Sequence, residues 1–121
     1  MKIEALEAYG VEDRLIEIWA GAGHRRLLPI QDVSLREGKV LEGGHAIIFS
    51  PTSSGKTFVG EMAAVKAARR NRRALYLVPQ KALAEEKYGE FRRKYAPLGI
   101  RTVVSTRDLS LIHISEPTRP Y

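Results

Sequence analysis

The sequence predicts an α/β fold built on a parallel sheet, ending after about three strands and preceded by a short helical extension. Two apolar runs, Ala46–Phe49 and Ala74–Val78, and the segment Ile100–Ser105 with its Val103-Val104 core carry this reading. Continuous runs of this length suit strands covered on both faces. Stretches of helical spacing separate them, and strands alternating with helices imply parallel βαβ units. The expected divisions are a helical extension over residues 1–26, a partial domain over 27–108 and a separate tail over 109–121.

Each element follows from local pattern. Val11–Ala20 places Leu15, Ile18 and Trp19 at helical spacing among Glu12, Asp13, Arg14 and Glu17, and Gly21-Ala22-Gly23 ends it. A second short helix starts near Pro29 or Ile30, because proline suits the first helical turn; Val33, Val40 and Leu41 are the core candidates of this stretch. Gly43-Gly44 stops it, and strand one begins at Ala46. Beyond Ser50–Thr57, Phe58, Met62 and Val65 fall on one face of an alanine-rich helix reaching about Arg70. Ala74–Val78 is the second strand, closed by Pro79. Lys81–Tyr95 follows as a charged helix with Leu83, Tyr88 and Phe91. Tyr88, Phe91 and Tyr95 are three and four residues apart, which marks a face packed on the sheet rather than a base-stacking platform. Pro97 and Gly99 break this helix before the third strand.

Composition narrows the chemistry. The chain has 121 residues, 20 Lys+Arg against 14 Asp+Glu, a formal charge of +6 and 44% hydrophobic residues, which fits one globular domain. It has no cysteine, so disulfides, thiol nucleophiles and thiolate zinc sites are excluded; His24, His45 and His113 lack metal-ligand spacing. No apolar run approaches the roughly 20 residues that span a bilayer, and Glu4 and Glu7 occupy the start where a secretory signal is basic. A cytoplasmic monomer without membrane contact is the expectation. The positive surplus favours polyanionic partners.

Ser50-Pro51-Thr52-Ser53-Ser54-Gly55-Lys56-Thr57 carries the chemistry. It follows the pattern G-x-x-x-x-G-K-[ST] except that serine replaces the first glycine, and it lies between a predicted strand and a predicted helix. The loop Pro51–Thr57 would surround a triphosphate with inward-pointing backbone N–H groups, which Thr52–Thr57 carry and Pro51 lacks, and the helix starting near Gly55 adds its positive end. Lys56 would place its ammonium between the β- and γ-phosphates, where two unit charges 4 Å apart are worth about 4 kcal/mol at an effective dielectric near 20. Thr57 would hold Mg²⁺ through its hydroxyl. Lys56 and Thr57 are therefore the catalytic candidates, and Thr57 the metal ligand. The bland alternative is a Ser/Gly-rich turn with a solvated lysine.

With this loop in place, about Leu27 to Asp108 resembles the amino-terminal ATPase domain of superfamily 2 helicases, the DEAD/DEAH-box class, and most closely its Ski-type branch. The resemblance implies a RecA-like phosphate-loop fold, ATP with Mg²⁺ as cofactors, and single-stranded or partly duplex nucleic acid as partner. Ser50–Thr57 looks like the family's motif I, in which alanine or serine commonly opens the loop. Leu28-Pro29-Ile30-Gln31 is similar to the Q motif, whose glutamine reads adenine; Gln31 is the candidate for base recognition, although a glutamine on a short helix is otherwise an ordinary surface residue. Val78–Lys87 looks like motif Ia, which holds the backbone of the loaded strand and points to Pro79, Gln80 and Lys81. Gln80 stands where leucine is common. A helix N-terminus with a lysine beside it agrees physically with phosphate contact. Thr102–Asp108 resembles the next strand and its turn, with Arg107 in place of the usual glycine, and has no assigned role.

Two further features bear on function. Leu109–Pro120 resembles, residue for residue, the translation of a transposase adapter used in DNA sequencing libraries; the alternative is an ordinary strand with a Pro-rich terminus. The basic clusters Arg69-Arg70, Arg72-Arg73 and Arg92-Arg93-Lys94 read as solvated surface rather than a nucleic-acid footprint. The Asp-Glu pair with which the family hydrolyses ATP does not occur after Ile100, and the second RecA-like domain is missing. These 121 residues are thus expected to bind nucleotide without unwinding. The competing readings are an inert or binding-only phosphate-loop module, or a nucleotide kinase, against which Lys81–Lys87 speaks.

Overall fold

The computed structural model describes residues 1–43, 46, 48, 55–78, 80–105 and 110–115, with the last six and residue 105 described by backbone alone. The chain forms two compact units, Met1–Ala63 and Ala64–Tyr121.

In the first unit, Ile3–Tyr9 is a 3₁₀ segment that buries Ile3 and Leu6. The chain start is held by an antiparallel bridge between Lys2 and Arg26. Ile3 N donates to Arg25 O at 3.0 Å and Leu27 N to Met1 O at 2.8 Å on either side of it. Helix α1, Asp13–Gly21, buries Leu15, Ile16 and Trp19. Ile16 takes the core place expected for Ile18, because the packed face centres on Leu15 and Trp19. Helix α2, Pro29–Arg36, starts at the proline as predicted and buries Gln31, Ser34 and Leu35. Val33 was a core candidate but is 49% exposed. It lies two residues from both Gln31 and Leu35 and so on the opposite face of the helix. Leu41 is buried as expected.

The predicted first strand does not form at its described residues: Ala46 and Ile48 have no strand pairing. Ile47 and Phe49 lie outside the described residues. Helix α3, Lys56–Arg69, begins on schedule and buries Phe58, Val59 and Met62 in its first half.

The second unit holds the remainder of α3, strand β1 (Ala74–Val78), helix α4 (Lys81–Tyr95), strand β2 (Arg101–Ser105) and strand β3 (Ser110–Ser115). Among the described residues the sheet has the order β1-β3-β2, and β3 is antiparallel to both neighbours. This corrects the expected parallel sheet. β1 and β2 do run the same way, as a crossover through α4 requires, but the strand between them arrives after only residues 106–109. A parallel return needs about a dozen residues or more, so β3 comes back antiparallel. The tail read as a separate segment thus supplies the central strand.

Helix α4 covers one face of this sheet. Phe91 and Tyr95 are fully buried, and Phe91 meets Tyr76 edge-on with centroids 5.3 Å apart. Leu75 and Leu77 alternate with Tyr76 and are 61% and 65% exposed. The expectation that β1 is covered on both faces therefore fails, and its alternating burial is that of a one-sided sheet.

Candidate nucleotide site

The site is built from the start of α2 outward. Pro29 opens the helix, Leu28 is its N-cap, and Gln31 occupies the third helical position. From there its side chain reaches back, and Leu28 N donates to Gln31 Oε1 at 2.8 Å. This is the glutamine half of a capping box, and it satisfies an amide that the helix leaves unpaired. The other end of the same carboxamide reaches the loop: Gln31 Nε2 donates to Gly55 O at 3.0 Å. Gln31 is 2% exposed. Its amide is thus committed internally through one donor and one acceptor, which ties the helix start to the last residue before α3.

Gly55 is required for two independent reasons. Its φ is +93°, in the left-handed region that favours glycine. A Cβ built there would lie 2.7 Å from Gln31 Nε2 and 2.7 Å from Leu28 Cδ1. The glycine of the sequence pattern therefore admits the glutamine as well as any phosphate. The sequence singled out both residues without pairing them; a glutamine at the third position behind Pro29 was the available signal.

Lys56 is the first residue of α3 and is half-buried; Thr57 is exposed. Among the described residues the Thr57 hydroxyl has no hydrogen-bond partner. The first amides of α3 have no intrahelical carbonyl to bond, so this end offers donors and a positive dipole. Phe58 anchors it from behind: its ring stacks on His24 at 3.7 Å and meets Trp19 edge-on at 5.5 Å. The first helices thereby fix the direction of the α3 N-terminus. Pro51, Thr52, Ser53 and Ser54 lie outside the described residues, and the expected amide cradle rests on them.

A triphosphate matches the donor chemistry present: a left-handed glycine, a helix N-terminus and a lysine at its head. Among the described residues of this segment, the hydroxyl a magnesium ion would find is that of Thr57. Among the described residues no group of three or more His, Asp or Glu side chains could hold a metal.

The nucleic-acid candidates lie in the second unit. Gln80 is the N-cap of α4 in extended conformation, without a side-chain capping bond, and Lys81 is exposed at the first helical position. Pro79 lies outside the described residues.

The family profile of the DEAD/DEAH box helicase matches residues 28–115. The chain belongs to the DEAD/DEAH box helicase family. It is 41% identical over 101 residues to the "Probable ATP-dependent helicase MJ1401" of Methanocaldococcus jannaschii, covering 83% of this chain and 12% of that protein. It is 39% identical over 109 residues to the "ATP-dependent DNA helicase Hel308" of Pyrococcus horikoshii, covering 89% and 14%. The protein of that name from Thermococcus kodakarensis is 40% identical over 109 residues, covering 89% and 9%. The chain thus spans about a tenth to a seventh of the length of these relatives, as a piece of the DEAD domain, whose fold is RecA-like α/β. Among the described residues, no helix is long and apolar enough to cross a membrane.

Proposed function

We propose that this chain is the nucleotide-binding start of the first RecA-like domain of an ATP-dependent DNA helicase of the Ski-type branch, with 1–26 as its helical extension and 27–108 as the partial domain. The observation that carries this is the Gln31 carboxamide, buried and bonded to both Leu28 and Gly55. It joins the two sequence motifs that in such enzymes serve the adenine and the phosphates.

In this reading Thr52–Thr57 hold the triphosphate of ATP through backbone amides, Pro51 shapes the start of the loop, Lys56 neutralises the outer phosphates, and Gln31 keeps the loop in register with the base side of the site. Thr57 would hold Mg²⁺, which when bound screens the phosphate charge. Most of the contribution is positioning and charge neutralisation. Pro79, Gln80 and Lys81 contact the backbone of a single strand, and the parent acts as a cytoplasmic monomer. Turnover belongs to the parent, because the Asp-Glu pair and the second RecA-like domain are outside these residues. The chain alone binds without unwinding.

We also assign residues 109–121 to translated sequencing adapter, on the residue-by-residue resemblance of Leu109–Pro120. A parent gene that itself encodes this stretch beyond Asp108 would overturn the assignment.

Isothermal titration with Mg·ATP tests the site. The chain binds and Lys56→Ala weakens binding at least tenfold; equal affinity in both would end the phosphate-loop reading.

A further inference from the structure

His24 has no role in the sequence reading, yet the structure gives it a fixed place in the first unit, Met1–Ala63. Its backbone N–H donates to Trp19 O at 2.9 Å and closes the end of α1, behind Gly23 at φ +103°. One residue further on, Arg25 O accepts from Ile3 N at 3.0 Å, and Lys2 bridges Arg26. The backbone is thus pinned on both sides of His24. Its half-buried ring lies flat on Phe58, with centroids 3.7 Å apart and planes within 2°. Trp19 meets the same Phe58 ring at 89°, with centroids 5.5 Å apart. With one neighbour parallel and the other perpendicular, the Phe58 ring cannot turn without losing one of these contacts.

Phe58 is the third residue of α3, directly after Lys56 and Thr57. These three carry backbone N–H groups of the first turn, which have no intrahelical carbonyl to bond and are the donors a phosphate would use. Holding the Phe58 side chain therefore aims those donors. On the other side of Lys56 is Gly55, whose carbonyl accepts from Gln31 Nε2 at 3.0 Å. Gly55 and Phe58 flank Lys56 and Thr57, and their holders His24 and Gln31 belong to one short segment. The segment His24–Gln31 thus grips the head of α3 at two points, before and after the two residues assigned to phosphate and metal. Apolar burial alone does not account for His24. Trp19 and Phe58 are buried and would pack against any apolar side chain, whereas this position holds a polar ring set face to face on its neighbour.

We propose that His24 is a positioning residue for the nucleotide: through its stack on Phe58 it sets the direction in which Lys56, Thr57 and the first amides of α3 meet the phosphates. This role rests on the phosphate-loop reading of the site and adds to it a residue from the helical extension. Residues 1–26 are then a support of the nucleotide site, because the turn that carries His24 is closed by α1 on one side and by the chain start on the other.

The test is isothermal titration of the whole chain with Mg·ATP and, separately, with magnesium tripolyphosphate, which has no base. Circular dichroism first shows each variant to be folded at the working temperature. His24→Ala should weaken both probes by about fivefold or more, and by the same factor. His24→Phe keeps a ring face without the imidazole nitrogens and should return the affinity to within about twofold of the natural chain. Phe58→Leu should also weaken binding, and H24A/F58L no more than F58L alone, because His24 acts through Phe58. Unchanged affinity in His24→Ala would overturn the proposal, as would a phenylalanine variant as weak as the alanine one or losses that multiply in the double variant. A loss confined to ATP would also overturn it, by placing the effect on the base side. If the natural chain binds neither probe, the phosphate-loop reading falls and this role with it; if it binds both and His24→Ala changes nothing, this role alone falls. Should His24→Ala fail to fold, His24→Gln, which keeps a polar side chain without a ring face, takes its place with the same expected losses.

Discussion

Gln31 makes two bonds that oppose different substitutions. Gln31→Ala removes both and leaves Gly55 O and Leu28 N without their partner, which is expected to cost about 1–3 kcal/mol in urea denaturation. Gln31→Glu keeps an acceptor for Leu28 N but sets a carboxylate oxygen against Gly55 O, so at pH 7 it should be the worse of the two. A protonated carboxyl can donate to that carbonyl. Its pKa would therefore be raised in the folded state, and the deficit relative to the natural chain should shrink as pH falls from 7 to 5. A deficit that grows instead would show that the amide donor is not what holds the loop. The sequence marked Gln31 and Gly55 by motif, but a bond between residues 24 apart depends on the path of the chain and could not be read from either motif.

At the scale of elements, helix ends were the most legible feature. α4 has the limits its pattern predicts, and α2 begins at its proline, because caps and breakers act locally. The left-handed residue ending α3 is not legible in the sequence, since asparagine tolerates that conformation in turns of several kinds and also occurs without it. Asn71→Gly is expected to leave Tm unchanged or slightly raised. Asn71→Ala should lower stability by about 1 kcal/mol, the usual penalty of a Cβ in this region. The middle of α4 carries a pH dependence. Partial burial pushes the Glu90 carboxyl up, but Lys87 and Lys94 outweigh it, and the net displacement is below the ordinary glutamate value. A carboxyl held low contributes stability above its unfolded pKa and loses it as pH falls through the folded one. Glu90→Gln should therefore destabilise the chain at pH 7 and lose this effect in strong acid, as followed by helical circular dichroism. Strand pairing was the least legible element property. Apolar runs mark strands, but whether a neighbour is parallel is settled by the length of the connection and by which edges are left open.

At the scale of the whole molecule, the second unit combines an open sheet face with a strand drawn from its tail. β1 and β2 each pair with β3, and Leu75 and Leu77 stand exposed on the face opposite α4. These two facts predict different behaviour and can be separated. A chain ending at Asp108 loses β3 and leaves two inner strand edges unpaired, a condition that invites association between chains. It should lose cooperative melting and scatter light at concentrations where the full chain does not. The double variant L75T/L77T keeps β3 and brings in β-branched residues that suit a strand while reducing the apolar patch. It should lower scattering without lowering Tm. A truncated chain that melts as sharply as the full one would mean that β3 contributes nothing to the sheet. Undiminished scattering by the threonine variant would place the source of association at the strand edges rather than on the open face.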